Sequence, residues 1–149
     1  MTLELANSQS VDVITKLLKE LYLELGEESE SIKFMTPEFV QQMLASKQTE
    51  IYLAYNHNRE VVGIISLTET QSFYAGGKYG VIDEMYITPG FRSKNIGSQI
   101  ISDIKQIAKQ KGLKRIDVTA PTEERWIRTV DFYKRNGFEF TGPKLKLII

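Results

Sequence analysis

The chain has 149 residues, 42% of them hydrophobic, and its 19 lysine and arginine residues balance 19 aspartate and glutamate residues. This composition is typical of one folded domain, here spanning residues 1–149, and it lacks the basic excess with which proteins bind nucleic-acid phosphates. The absence of cysteine excludes disulfides and thiolate nucleophiles, and the single histidine, His57, argues against a metal site.

Hydrophobic periodicity predicts the elements of the N-terminal third. Thr2 to Ala6 alternates as a short strand, and apolar residues recur at helical spacing from Val11 to Leu25 before Gly26. The polar and acidic stretch 26–33 predicts a loop. Thr36-Pro37-Glu38 is typical of a helix start and predicts a second helix.

The remainder of the chain predicts alternating strands and helices. Strands are expected at 51–55, 61–67, 81–88 and 115–120, with helices beginning near Ile96 and at Thr122-Glu123-Glu124, and two final short strands at 138–140 and 145–149. The order is therefore strand, two helices, three strands, helix, strand, helix, two strands. A mixed α/β fold in layers follows from this order.

The N-terminus contains no basic region followed by an apolar stretch, as a secretory signal would. No later segment approaches the roughly 18 consecutive apolar residues of a membrane span. We therefore expect a cytoplasmic protein that has no membrane partner.

The segment between the strand at 81–88 and the helix from Ile96 carries the clearest chemical signal. The first turn of a helix offers unpaired backbone N–H groups and a partial positive charge, and Arg92 and Lys94 add formal charge. Gly97 and Ser98 keep this turn small, so that an anion such as pyrophosphate can approach. An ordinary strand-to-helix turn would explain the same residues, and the P-loop spacing is absent.

Two motifs resemble those of the GNAT acetyltransferase superfamily. Met85-Tyr86-Ile87-Thr88-Pro89 followed by Arg92-Ser93-Lys94-Asn95-Ile96-Gly97 is similar to the family's motif A, a hydrophobic strand followed by Arg/Gln-x-x-Gly-x-Gly/Ala. Phe132-Tyr133-Lys134-Arg135-Asn136-Gly137-Phe138 is similar to its motif B. The order of elements matches the family fold over essentially the whole chain.

The resemblance implies an α/β fold with a mixed, mostly antiparallel sheet of six to seven strands, flanked by about four helices. The fourth and fifth strands, here 81–88 and 115–120, would splay apart. The cosubstrate would be acetyl-CoA, without a metal, and its pantetheine arm would bond to the backbone of Met85, Tyr86 and Ile87. The residues expected around the pyrophosphate are Arg92, Ser93, Lys94, Asn95, Ile96, Gly97 and Ser98.

The resemblance also suggests the acid and base of N-acetyl transfer. Tyr133 matches the tyrosine often assigned as general acid for the departing thiolate, although a core aromatic residue is its simpler interpretation. Asp83 and Glu84 lie where relatives often carry a carboxylate base. Adjacent strand residues face opposite sides, so ordinarily only one of the two points at the substrate, and a bulge could change which one. We favour Glu84 slightly; the alternative is that both are solvated surface acids.

Three positions depart from the family pattern. Asn95 stands where glycine is usual, and asparagine tolerates the left-handed backbone conformation best after glycine. Ser93 replaces another frequent glycine. Trp126 occupies the position of an asparagine that contacts cofactor or substrate in many members, so that role is not transferred, and Trp126 is expected to pack or to line the acceptor side.

The acceptor is predicted only as a class. The acidic stretch containing Glu28 and Glu30 lies where relatives cover the acceptor site, and it would attract a small cationic amine, unless it is a solvated charge run. Two alternatives remain: acetylation of a protein N-terminus or lysine, and a non-catalytic acyl-CoA-binding module. Homodimers are frequent among relatives, so a homodimer is also expected.

Overall fold

A computed structural model describes residues 1–26, 30–120 and 123–149, with residues 30 and 31 described by their backbone alone. The helices are α1 (Val11–Glu24), α2 (Glu30–Phe34), α3 (Pro37–Ser46), α4 (Ile96–Gln110) and α5 (Ile127–Arg135). The strands are β1 (Thr2–Leu5), β2 (Thr49–Tyr55), β3 (Val61–Ser72), β4 (Gly77–Ile82), β5 (Met85–Ile87) and β6 (Ile116–Val118). Short 3₁₀ turns precede α1, α4 and α5.

The six strands form one mixed sheet in the order β1-β2-β3-β4-β6, with β5 pairing to β3 beyond β4. All pairs are antiparallel except β4 with β6, which run parallel from Gly80 opposite Ile116 to Ile82 opposite Val118. The mixed, mostly antiparallel α/β architecture expected from the sequence is confirmed.

The strand predicted at 81–88 is divided in two by Asp83 and Glu84. Both halves pair with the long strand β3, through Thr68–Ser72 for β4 and through Gly63–Ile65 for β5. Pairing with β6 ends at Ile82, and no described strand pairs with the outer edge of β5. The sheet therefore splays between β5 and β6, as expected.

Apolar side chains form one cluster on each face of the sheet. Helices α1 and α3 cover one face, where Ile14 and Leu53 are buried, and α4 and α5 cover the other, where Ile104 and Tyr133 are buried. The periodic stripe of α4 is buried as predicted, and each fully buried isoleucine stabilises the fold by about 1.5–3 kcal/mol. The sheet edge at β5 lies between these two layers.

Two predictions about elements are wrong. Within the stretch 26–33, predicted to be a loop, residues 30–33 belong to the short helix α2, and residues 27–29 lie outside the described residues. No strand forms at 138–140 or 145–149, and Leu145, Leu147 and Ile149 are exposed. Alternation of Lys144, Leu145, Lys146 and Leu147 fits a strand, but a strand also needs a neighbour to share its hydrogen bonds, and none pairs with this segment.

Thr122, predicted to open the last helix, lies outside the described residues. The described chain resumes at Glu123, makes a 3₁₀ turn over Glu124–Trp126, and enters α5 at Ile127. None of the described helices is long and apolar enough to cross a membrane.

Candidate functional site

The outer edge of β5 offers unpaired backbone groups to the splay. The ladder to β3 runs through alternate residues, since Ser66 N–H donates to Glu84 O (2.9 Å) and Thr88 N–H donates to Val62 O (3.1 Å). This alternation turns the polar groups of Tyr86 toward β3 and those of Met85 and Ile87 toward the splay. Of the three residues predicted to bond the pantetheine arm, Met85 and Ile87 thus turn their backbone groups to the splay, and the Ile87 carbonyl accepts Arg92 Nε–H at 2.8 Å.

Glu84 is held at the break between β4 and β5. The Tyr22 hydroxyl from α1 donates to Glu84 Oε1 at 2.8 Å, and the buried Ser66 hydroxyl donates to Oε2. The backbone N–H of Glu84 donates back to Ser66 Oγ at 2.9 Å. Two bonds to the carboxylate and one from the backbone thus fix Glu84 on the face of the sheet covered by α1.

Asp83 differs from Glu84 in its exposure and in its bonding partner. Its side chain is exposed, and its ion-pair partner is Lys144 Nζ at 3.6 Å, from the C-terminal segment. The structure therefore places Glu84, but not Asp83, in an ordered setting inside the fold.

A cavity of about 260 Å³ opens beside Glu84, between α1, α2, α3 and β2. Its lining is mostly apolar and includes Leu18, Met35, Val40 and Ile51. Glu84 is the one charged side chain among the described lining residues. The cavity thus joins a carboxylate to an apolar chamber on the α1 face.

Tyr133 lies on the opposite face, packed edge-on against Phe132 and Phe138 with ring centroids 5.2 and 5.5 Å away. Its hydroxyl contacts Met85 Sδ at 3.9 Å, a weak acceptor. Burial raises the pKa of Tyr133 to about 12, so the phenol keeps its proton at neutral pH. A buried hydroxyl with so little compensation beside the open edge of β5 is suited to a ligand atom in the splay.

The loop before α4 bends through two left-handed residues, Ser93 (φ 60°) and Asn95 (φ 62°). The expectation that Asn95 adopts this conformation in place of glycine is met, and Ser93 adopts it too. The first helical bond runs from Gln99 N–H to Asn95 O at 3.1 Å, and the Asn95 side chain makes no capping bond. Among the described residues, the N–H groups of 96–98 have no partner, as an anion site requires.

Gly97 brings this helix start close to the other candidates. A Cβ atom there would lie 3.0 Å from the Phe132 ring and 3.6 Å from Met85 Cε. The absence of a side chain therefore lets the first turn of α4 pack directly against α5 and β5. The helix N-terminus, the open edge of β5 and Tyr133 meet around the Met85 side chain.

The two cations predicted to lie at the pyrophosphate, Arg92 and Lys94, both bond to protein groups. The Arg92 guanidinium forks the Glu24 carboxylate with bonds of 2.9 and 2.7 Å and lies over the Tyr86 ring. Lys94 Nζ donates to Gly90 O at 3.0 Å. Arg92 therefore ties the motif A loop to the end of α1.

The candidate acceptor residues are only partly described. Glu28 and the Glu30 side chain lie outside the described residues. Trp126 is half-buried at the start of α5, with Arg125 over its ring, and Arg125 also donates to Leu25 O at 3.0 Å. Trp126 does not line the cavity beside Glu84.

The sequence interpretation missed Ser66 and Tyr22, which orient Glu84. Ser66 interrupts the apolar run of β3, and a polar residue inside a buried strand was the available signal. Tyr22 lies in the apolar stripe of α1 and carried no signal, because its role depends on a residue 62 positions later.

Comparisons with known proteins agree with this geometry. The family model described as Acetyltransferase (GNAT) family matches residues 14–138. An uncharacterized N-acetyltransferase, YhfO, from Bacillus subtilis is 27% identical over 101 residues, which are 68% of this chain and 66% of that protein. The aminoalkylphosphonate N-acetyltransferase of Salmonella typhimurium is 30% identical over 89 residues, 56% of each chain.

The chain thus spans two thirds or less of the length of these relatives. A solved aminoglycoside acetyltransferase from an uncultured soil metagenomic sample, in complex with sisomicin, shares the fold with a TM-score of 0.81 and 15% identity, covering 99% of this chain and 95% of that one. The family match covers most of the sequence, both motifs and the splayed sheet, so the chain belongs to the GNAT family of acetyltransferases.

Proposed function

We propose that this chain is an acetyl-CoA-dependent N-acetyltransferase, one domain over residues 1–149, that transfers an acetyl group to a primary amine. The observation that carries this proposal is the position of the open β5 edge. The Glu84 carboxylate lies on one face of the sheet beside it, and the Tyr133 hydroxyl lies on the other, near Met85. An amine and a thioester that met at the splay would find a proton acceptor and a proton donor.

The residues present fit acetyl-CoA. The N–H groups at the start of α4 suit its pyrophosphate, and the left-handed Ser93 and Asn95 shape the approach. The polar groups of Met85 and the Ile87 N–H suit an extended amide chain that adds to the sheet edge as a strand would. When bound, acetyl-CoA supplies the activated acetyl thioester.

Glu84 accepts the proton that the amine must lose. An alkylammonium has a pKa of about 10.4, so most of the amine is protonated at neutral pH and cannot attack. The carboxylate takes this proton directly or through one water molecule. Tyr22 and Ser66 hold the carboxylate in one orientation, which keeps it aimed without further ordering during the reaction.

Tyr133 donates a proton to the departing thiolate. Its phenol is protonated at neutral pH, as an ordinary tyrosine also is, and burial raises its pKa to about 12. An acid this weak transfers its proton only to a well-placed base, and its ring is fixed by Phe132 and Phe138. Position, more than acidity, makes Tyr133 a competent donor.

The small volume of the cavity beside Glu84 favours a small-molecule acceptor over a protein acceptor. A protein N-terminus or lysine calls for a broad open groove, whereas the described lining forms a chamber of about 260 Å³. Attraction of a cationic amine by Glu28 and Glu30 stays a prediction, as do the homodimer and any contact between Trp126 and the acceptor.

Thiol release from acetyl-CoA tests the proposal. Purified protein is mixed with acetyl-CoA and a panel of primary amines, and both free thiol and the mass of each acetylated amine are measured. We expect amine-dependent release with one acetyl group gained per thiol. Tight CoA binding with no amine-dependent release would instead make the chain a non-catalytic acyl-CoA-binding module.

A further inference from the structure

The cavity beside Glu84 has an apolar interior and an apolar rim. Ile14, Leu18 and Ile51 are at most 7% exposed and form its inner wall. Phe34, Phe39 and Met43 also line it and are 61%, 37% and 40% exposed, so they form its opening. Large apolar side chains that stay exposed around the opening of a cavity are typical of a ligand-binding site.

On the basis of the proposed function, we propose that the acceptor is a primary amine that carries one compact apolar group, which is either an arylalkyl group or a short alkyl chain. The amine nitrogen lies at Glu84, the one charged side chain in the described lining. The apolar group lies in the chamber among Leu18, Val40 and Ile51, where its burial contributes the binding free energy.

Charge separates this class of amine from the alternatives. No described lining residue is cationic, so an amine that also carries a carboxylate or phosphonate would bring its anion beside Glu84 uncompensated. A polyamine would place a second ammonium group against Leu18, Val40 or Met35, and an unpaired buried charge is strongly unfavourable. An amine with one positive charge and one apolar group matches both Glu84 and the apolar residues of the described lining.

Volume limits the apolar group. The cavity measures about 260 Å³, just below the range of drug-sized ligand sites, which begins near 300 Å³. A phenylethyl or hexyl group is of suitable size. Longer chains would have to project past Phe34 at the opening, so the gain from each added carbon should stop near that length.

The test compares amines of equal nucleophilicity that differ in their apolar part. We expect kcat/KM for acetylation to rise about fourfold for each methylene from ethylamine to hexylamine, and then to level off. Phenethylamine should exceed spermidine and 2-aminoethylphosphonate by more than tenfold. Equal kcat/KM along the alkyl series, or a preference for spermidine or the phosphonate, would overturn the inference and leave N-acetyl transfer intact.

Variants at the opening connect this preference to the cavity. Phe39→Ala and Met43→Ala remove partly exposed side chains, so both should fold, and each should lower kcat/KM for hexylamine about tenfold while ethylamine changes little. Phe73→Ala is the control, because Phe73 is fully exposed and lies outside the cavity lining. Equal losses for both amines in the cavity variants, or the same loss in the control, would contradict the proposed site.

A binding measurement keeps the two proposals distinguishable. If no amine releases thiol, the proposed function fails, and calorimetric titration of hexylamine against spermidine still decides the chemistry of the cavity. Tighter hexylamine binding that weakens in Phe39→Ala would support the apolar site. Tighter spermidine binding, or no binding of either amine, would overturn it.

Discussion

Ser66 and Glu84 exchange two hydrogen bonds across neighbouring strands: the Ser66 hydroxyl donates to the carboxylate, and the Glu84 N–H donates back to Ser66 Oγ at 2.9 Å. Ser66 is fully buried and opposes the point where β4 gives way to β5. This exchange fixes both the break in the strand and the orientation of its carboxylate. Ser66 is accordingly a positioning residue for the proposed base.

Ser66→Ala should lower kcat about tenfold and leave the KM for acetyl-CoA unchanged, because the carboxylate loses orientation while the cosubstrate site is untouched. It should also cost about 1–3 kcal/mol of stability, since the partly buried Glu84 N–H loses its acceptor and the carboxylate loses a donor. Steady-state kinetics and chemical denaturation measure both. Thr15→Val is the control, because Thr15 is also buried but bonds only to Val11 O; an equal loss of kcat in that variant would show that destabilisation alone is responsible.

Tyr133→Phe should lower turnover by about 10²–10⁴-fold, the usual contribution of a positioned acid, and should spare the Kd for CoA. The hydroxyl contacts only a thioether among described groups, so the ring packing against Phe132 and Phe138 persists and the fold should lose little stability. Single-turnover kinetics and calorimetry provide the two values. Turnover equal to that of the unsubstituted protein would remove Tyr133 as the acid.

The raised pKa of Tyr133 predicts an alkaline loss of stability. The unfolded phenol ionises near pH 10 and the folded one near 12, so the contribution is complete below pH 10 and is lost between pH 10 and 12. A difference of about two units corresponds to roughly 2–3 kcal/mol. Urea unfolding across this range should show a smaller decrease in Tyr133→Phe; identical slopes would contradict the raised pKa.

Ser93→Gly should stabilise the protein by up to about 1 kcal/mol, because Ser93 is held at φ 60°, a conformation that glycine adopts without the steric strain of a serine side chain. Ser102→Gly is the matched control, since Ser102 is exposed within α4 and glycine there should cost about 0.5 kcal/mol. Thermal unfolding of the two variants should therefore shift in opposite directions. A loss of stability in both would indicate that Ser93 has interactions beyond its backbone conformation.

Much of the fold was predictable because its signals are local. The stripe of α4 and the start of α3 at Pro37 both depend on residues near one another in sequence. The segment 145–149 was wrongly predicted as a strand because alternation describes one chain, whereas a strand requires a neighbouring edge.

The site was less predictable because its bonds join distant residues. Arg92, for example, forks Glu24, 68 positions earlier, and only the packing of α1 against the motif A loop determines this pair. The preference for Glu84 over Asp83 agrees with the placement of the two side chains. Hydrophobic periodicity gave that preference little support, because periodicity does not predict where a strand breaks.

The most direct test of the account is amine-dependent thiol release by Glu84→Gln, measured beside the unsubstituted protein and Asp83→Asn. Glutamine keeps the size of the side chain but cannot accept the proton, so kcat at neutral pH should fall about 10²–10⁴-fold with unchanged CoA affinity. Asp83→Asn should lose far less, because Asp83 is exposed and pairs with Lys144. Full turnover in Glu84→Gln, or a larger loss in Asp83→Asn, would contradict the assignment of Glu84 as the base.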